Sequence, residues 1–234
     1  ETPFTPYLKD RTGNMEMGVT YQYFVEGGGT TQVWDIDNPP ALSAGTYTMR
    51  ATIAGTQNYD EFTTADVQFT VAKAMPDFTS GTTYKKPTGL TATYGQTLAD
   101  VTLTNPAGNL DGTWSWMDST VSVGNVSTTA KTFKAKFTPK DIENYNTVEN
   151  IELEVTVNKA DQATLTIQGE DSVAYGETLT LKTIGGTTGG KVTYSVARSK
   201  SNGDATIDEN GVLTPTKVGT ISVTATMAGD ENYN

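Results

Sequence analysis

The sequence predicts an all-β protein of three β-sandwich domains joined in tandem as an extended array, and two observations carry that prediction. One is internal repetition. Gly45-Thr-Tyr-Thr-Met-Arg-Ala-Thr-Ile-Ala-Gly-Thr-Gln-Asn-Tyr59 returns 174 residues later as Gly219-Thr-Ile-Ser-Val-Thr-Ala-Thr-Met-Ala-Gly-Asp-Glu-Asn-Tyr233, with eight of fifteen positions identical. A degenerate middle copy, Thr132 to Tyr145, sets its Asn-Tyr pair 86 residues after the first and 88 before the third. A period of this length marks an array of domains rather than a solenoid. The other observation is hydrophobic alternation of period two, with no window of convincing helical periodicity.

Taken in order, the first segment spans residues 1–73. Trp34 alternates there with Ile36, and Thr46 to Ile53 sets Tyr47, Met49, Ala51 and Ile53 on one face against Thr46, Thr48, Arg50 and Thr52 on the other. One face belongs to a core and one to water, as in antiparallel sheets. Val67 to Val71 closes the segment. In the second segment, residues 74–159, Phe133, Ala135 and Phe137 alternate with Lys134 and Lys136, and Ile151, Leu153, Val155 and Val157 alternate with Glu152, Glu154 and Thr156. The third segment, residues 160–234, repeats the pattern with Ile221, Val223, Ala225 and Met227 against Ser222, Thr224 and Thr226. No closing strand follows Tyr233, so the edge from Ile221 to Met227 is expected to stand open and this segment to be the least stable.

The boundaries come from two Lys-Ala pairs, Phe69-Thr-Val-Ala-Lys-Ala74 and Val155-Thr-Val-Asn-Lys-Ala160, and the pair Tyr94-Gly-Gln-Thr-Leu98 and Tyr175-Gly-Glu-Thr-Leu179 keeps the register. No Gly/Ser-rich or Pro-rich tether separates the segments, which argues for a stiff array. Turn signals such as Asn38-Pro-Pro40, Asn109-Leu-Asp-Gly112 and Glu209-Asn-Gly211 fall at sandwich spacing.

Composition narrows the function. The 234 residues carry 27 acidic and 16 basic side chains, a net charge of -11, with no basic cluster. Phosphate binding draws its affinity from concentrated Lys and Arg, so nucleic acid is excluded as an expected partner, and anionic membrane surfaces are disfavoured with it. No apolar run is long enough to span a bilayer. Without Cys there is no disulfide and no thiolate metal site, and without His the commonest general base and transition-metal ligand are missing. The chain begins at Glu1 and reads as an excerpt from a longer processed polypeptide, monomeric within it.

The pattern Tyr-Gly-x-Thr-Leu, Gly-Thr-Trp-Ser-Trp116, Phe-Thr-Pro139, Glu-Asn-Tyr145 and Val-Asn-Lys-Ala160 resembles the bacterial immunoglobulin-like repeats of surface proteins, of the MBG type. The third segment, with Ala205-Thr-Ile-Asp-Glu-Asn-Gly-Val-Leu-Thr-Pro215, is similar to the group 2 bacterial Ig-like domains of adhesins. The resemblance implies three immunoglobulin-like sandwiches, a secreted or cell-surface location in a bacterium, host or cell-surface proteins or glycans as partners, and no catalytic residues. The expected role is a stalk or adhesion module. The alternative is a carbohydrate-binding or accessory module of a secreted polysaccharide-degrading enzyme.

Three groups of side chains invite sharper readings. Trp114 and Trp116, two apart on one strand face, and Trp34 make either a stacking platform for sugar rings or core aromatics facing the opposite sheet. The acidic loops with Asp35 and Asp37, and with Asp204 and Asp208, offer oxygen ligands for Ca²⁺ or are solvated turn carboxylates, since no complete Ca²⁺ spacing is present. Tyr59, Tyr145 and Tyr233 follow the same loop and suggest a structural hydroxyl that pins a turn, as in the tyrosine corner of Ig sandwiches. An isopeptide bond from Lys131, Lys134 or Lys136 is disfavoured, because that chemistry wants a desolvated Lys.

Overall fold

The computed structural model describes residues 18–26, 28–81 and 83–234. Among these the architecture is all-β, with sixteen strands and two short 3-10 turns at Leu98–Asp100 and Arg198–Lys200. The first segment contributes β1 (Val19–Val25), β2 (Gly28–Trp34), β3 (Gly45–Ile53), β4 (Phe62–Thr63) and β5 (Val67–Val71). The second contributes β6 (Leu90–Thr93), β7 (Gly112–Trp116), β8 (Lys131–Pro139) and β9 (Val148–Asn158). The third contributes β10 (Leu165–Gln168), β11 (Leu179–Thr180), β12 (Lys182–Gly185), β13 (Val192–Val196), β14 (Asp204–Ile207), β15 (Val212–Lys217) and β16 (Val223–Met227).

The chain packs as two compact units. One holds the described residues up to Lys86 together with Asn105–Trp114 and Lys136–Ile151, and the other holds Pro87–Thr104, Ser115–Ala135 and Glu152–Asn234.

In the first unit β2, β1, β3 and β4 lie side by side, with β5 on the other part of β3. The alternation of β3 buries Tyr47, Met49 and Ala51 to 7% exposure or less, and Trp34 joins them at 4%. Tyr47 stacks on Phe69, and Tyr23 meets Trp34 edge to face at 5.6 Å. The polar face departs from the sequence expectation at Thr48, which is 6% exposed. The register explains this. Thr48 lies directly between Phe24 and Gln68, and the Arg50 guanidinium covers Phe24 at 5.2 Å, so longer neighbours roof the short hydroxyl. Arg50 also pairs with Asp66 at 3.1 Å.

The second segment forms a four-stranded sheet in the order β6-β9-β8-β7. Outside these strands a side chain also supplies ladder-like bonds. The Asn109 carboxamide accepts the Lys85 N–H at 2.9 Å and donates to the Lys85 carbonyl at 2.8 Å, which is the pairing a neighbouring strand would supply. In the first unit Phe78, Trp114 and the fully buried Phe137 form a tight aromatic cluster with centroids 4.9 to 5.2 Å apart. Gly112 permits that approach, since a Cβ there would stand 2.4 Å from the Phe137 ring. In the second unit Ala92, Leu98, Val101, Val123, Val155 and Val157 form a separate core, all at 5% exposure or less.

Strand β9 shows how alternation survives an insertion. Asn150 takes φ 59°, in the left-handed region that Asn tolerates better than most residues. Glu149 and Asn150 are therefore both exposed in succession, and the inward phase resumes at Ile151, Leu153, Val155 and Val157.

The third segment pairs β10 with β12, β11 and β14 with β15, and β13 with β16, all antiparallel. Its core is thinner. Leu181, Ala205 and Leu213 are its buried apolar residues.

Candidate functional site

Two junctions in the chain are built alike, one at each Lys-Ala pair. Each junction joins a Lys-Ala pair to the Asn-Tyr loop of the following segment. At the first, the Lys73 ammonium donates to the Ile142 carbonyl at 2.6 Å. The Ala74 N–H donates to the Asn144 carbonyl at 2.8 Å, and the Asn146 N–H returns to the Ala74 carbonyl at 2.8 Å. The Asn144 side-chain oxygen accepts the Ala44 N–H of the preceding segment at 2.7 Å.

The second junction repeats these four bonds. Lys159 donates to the Asp230 carbonyl at 2.6 Å, the Ala160 N–H to Asn232 at 2.9 Å, and the Asn234 N–H to Ala160 at 2.9 Å. The Asn232 side-chain oxygen accepts the Val126 N–H at 3.0 Å. Parallel bridges Ala74 to Tyr145 and Ala160 to Tyr233 mark the same geometry.

The loop is shaped by its own side chains before it reaches the neighbour. Asp141 accepts the Asn144 N–H at 3.1 Å and the Asn144 carboxamide at 2.8 Å, and these bonds hold its carboxyl below the ordinary value of 3.8. Asp230 accepts the N–H groups of Asn232 and Tyr233, each at 2.8 Å. Such Asx turns present the following Asn in a fixed direction. In the first and third copies a glycine opens the loop, because a Cβ on Gly55 or Gly229 would fall within 3.0 Å of the backbone at its far side.

The three tyrosines separate by what stands next to them. Tyr145 is half-buried, and it raises the pKa of its neighbour Tyr84, which burial raises first. Tyr233 is half-buried against the edge of Tyr94 at 5.3 Å. Tyr59 instead is 58% exposed, and its loop closes through backbone bonds between Thr56 and Tyr59. A linker alanine bridges to Tyr145 and another to Tyr233, and among the described residues no equivalent linker lies beside Tyr59.

The tryptophans sit in the core. Trp34 and Trp114 are 4% and 8% exposed, and the Trp114 indole donates to Asn105 at 3.1 Å. Trp116 is half-buried, donates to the Val101 carbonyl at 2.9 Å and meets Phe133 edge to face. Rings packed on other aromatics, with those of Trp114 and Trp116 also held by their N–H groups, do not offer a flat face to a sugar.

The acidic loops are occupied by protein donors. Asp35 accepts the N–H groups of Asp37 and Asn38 at 2.9 and 3.2 Å, while Asp37 lies exposed beside it. The Asp208 carboxylate accepts the Val212 and Asn210 N–H groups, which lower its pKa. Asp204 is bonded by the Arg198 guanidinium, which holds its carboxyl below the usual range. Among the described residues no group of three or more acidic side chains converges. Lys131 points its ammonium at the Val123 and Asn125 carbonyls.

The sequence marks both halves of the junction, the Lys-Ala pair as a boundary and the Asn-Tyr loop as a turn, without showing that they bond to each other. The available signal is that both recur in the second and third segments with nearly the same spacing. No family model matches this chain, and no curated protein matches it.

Proposed function

We propose that the chain is a non-catalytic tandem repeat region of a bacterial secreted or cell-surface protein, acting as a stalk or adhesion module. In this reading three immunoglobulin-like sandwiches occupy residues 1–73, 74–159 and 160–234. The observation that carries it is the junction: four hydrogen bonds of the same kind are built twice, from a Lys, an Ala and two Asn at matching positions. Domains linked without such bonds move freely by default. Fixing a junction twice suits a region that transmits position or load, whereas catalysis asks for one cleft. Partners in this reading are host or cell-surface proteins or glycans met at exposed loops, since the indoles are committed to the core.

Pulling on the chain by its ends tests the reading. A load-bearing array gives separate unfolding steps, each lengthening the chain by about 30 nm for 86 to 88 residues. One cooperative step for the whole chain contradicts it. Tight binding of a soluble oligosaccharide with quenching of the indole fluorescence would instead support the carbohydrate-binding alternative.

A further inference from the structure

Load that travels along the chain reaches the N-terminal side of β6 and leaves from the C-terminal side of β9, the first and last described strands of the second segment. These two strands are neighbours and run parallel. Leu90 stands opposite Val155, Thr91 opposite Thr156, Ala92 opposite Val157 and Thr93 opposite Asn158. Parallel pairing puts the two loaded sides at opposite ends of the ladder, so tension slides β6 along β9 and every ladder bond resists at once. Antiparallel strands would carry both loaded sides at one end, and their bonds would open in turn. The bridges from Ala74 to Tyr145 and from Ala160 to Tyr233 at the junctions are parallel as well.

The surroundings hold the ladder together until it slides. Ala92, Val155 and Val157 are 4% exposed or less and belong to one core with Leu98, Val101 and Val123. Sliding drags these side chains across close-packed neighbours, which adds a packing cost to the lost hydrogen bonds. The Tyr94 N–H donates to the Asn158 carbonyl at 2.9 Å, and the Thr93 N–H donates to the Gln96 side-chain oxygen at 2.7 Å. The first bond extends the ladder, and the second anchors β6 to the turn that follows it.

We propose that β6 and β9 form a shear clamp that sets the force at which the second segment opens. The proposal deepens the load-bearing reading and rests on it for its purpose, while the clamp is a property of one pair of strands. Forced opening follows the barrier to unfolding, so the direction of load changes it without any change in equilibrium stability.

Paired cysteines test this in the whole chain, whose sequence has no Cys of its own to compete for a thiol label. Thr88, Thr93, Glu154 and Asn158 are exposed beside or within the two strands, and handles coupled at two of them load the ladder in a chosen direction in optical tweezers. Thr88→Cys with Asn158→Cys pulls from opposite ends of the ladder, as the chain itself does. Thr88→Cys with Glu154→Cys pulls from one end. Four residue pairs share the load in the first case and one at a time bears it in the second, so the first opens at a force about two- to fourfold higher. Thr93→Cys with Glu154→Cys, from opposite ends, and Thr93→Cys with Asn158→Cys, from one end, repeat the contrast should a double variant of the first set fail to melt at the parent's Tm. Equal forces in the two directions, or a higher force from one end, overturn the clamp and leave stepwise unfolding of the whole chain untouched. A single step on pulling the chain ends contradicts the load-bearing reading instead and leaves the contrast between directions in place.

Discussion

Replacing Asn144 by Ala removes the side chain that ties the second repeat to the first. Two hydrogen bonds go with it, the one accepted from the Ala44 N–H at 2.7 Å and the one donated to Asp141 at 2.8 Å. The half-buried bond from the Ala44 N–H contributes about 0.5 to 1.5 kcal/mol net, toward the upper part if that N–H finds no water, and the exposed bond to Asp141 adds little. For a domain of this size each kcal/mol lowers the Tm by about 4 to 8 °C, well within calorimetric reach. The pH dependence gives a second readout. The Asn144 side chain is the largest cause of the lowered Asp141 pKa, against an ordinary value of 3.8. A depressed carboxylate contributes stability that is full above the unfolded value and is lost as pH falls through the lower folded value. The parent chain therefore loses this contribution in acid below about pH 5, and Asn144→Ala has less of it to lose. An unchanged Tm together with an unchanged acid limb would refute the reasoning, since it would mean that neither bond contributes.

The other variants probe the cores and the loop. Gly112→Ala drives a methyl group to 2.4 Å from a Phe137 ring that has no exposed surface, and overpacking of this kind costs about 1 to 3 kcal/mol in denaturant unfolding. A neutral result would show that the cluster of Phe78, Trp114 and Phe137 can shift. Tyr145→Phe removes the neighbour that adds to the raised pKa of Tyr84, so Tyr84 titrates closer to 10.0, read by its ultraviolet spectrum, while burial still holds it above that value. Tyr59→Phe, at an exposed ring, leaves the Tm unchanged. Hydrogen exchange places the strands of the third segment at lower opening free energy than their counterparts in the second, because Leu181, Ala205 and Leu213 are its buried apolar residues.

The strands were legible because period-two alternation is a local signal. Tyr47, Met49 and Ala51 in β3, Ala135 and Phe137 in β8, and Ile151 to Val157 in β9 all face inward as the pattern requires. What alternation does not report is the identity of the neighbour. Thr48 is buried by Phe24 and Gln68 across two ladders, and Lys85 is paired by a side chain rather than a strand, and both depend on register between distant residues. The junction was half legible for the same reason. Recurrence exposed the Lys-Ala and Asn-Tyr motifs one at a time, but the 2.6 Å bond from Lys73 to Ile142 spans 69 residues and leaves no local mark. Tyr59, Tyr145 and Tyr233 read as equivalent because the loop sequence is shared, while their environments are set by what packs on that loop. In the acidic loops the donors are nearby backbone N–H groups, so turn chemistry accounts for Asp35 and Asp208 without a bound cation.

The claim on which the account rests is that both junctions are closed by the same bonds in solution. Amide exchange of six groups measures this directly: Ala44, Ala74 and Asn146 at the first junction, and Val126, Ala160 and Asn234 at the second. The account predicts that all six are protected to the level of the adjoining strands, and that Asn144→Ala releases the first three while leaving the second three protected. Exchange of the six at the rates of an unstructured peptide, with β3, β8 and β9 still protected, would contradict it and leave the repeats joined only by the chain.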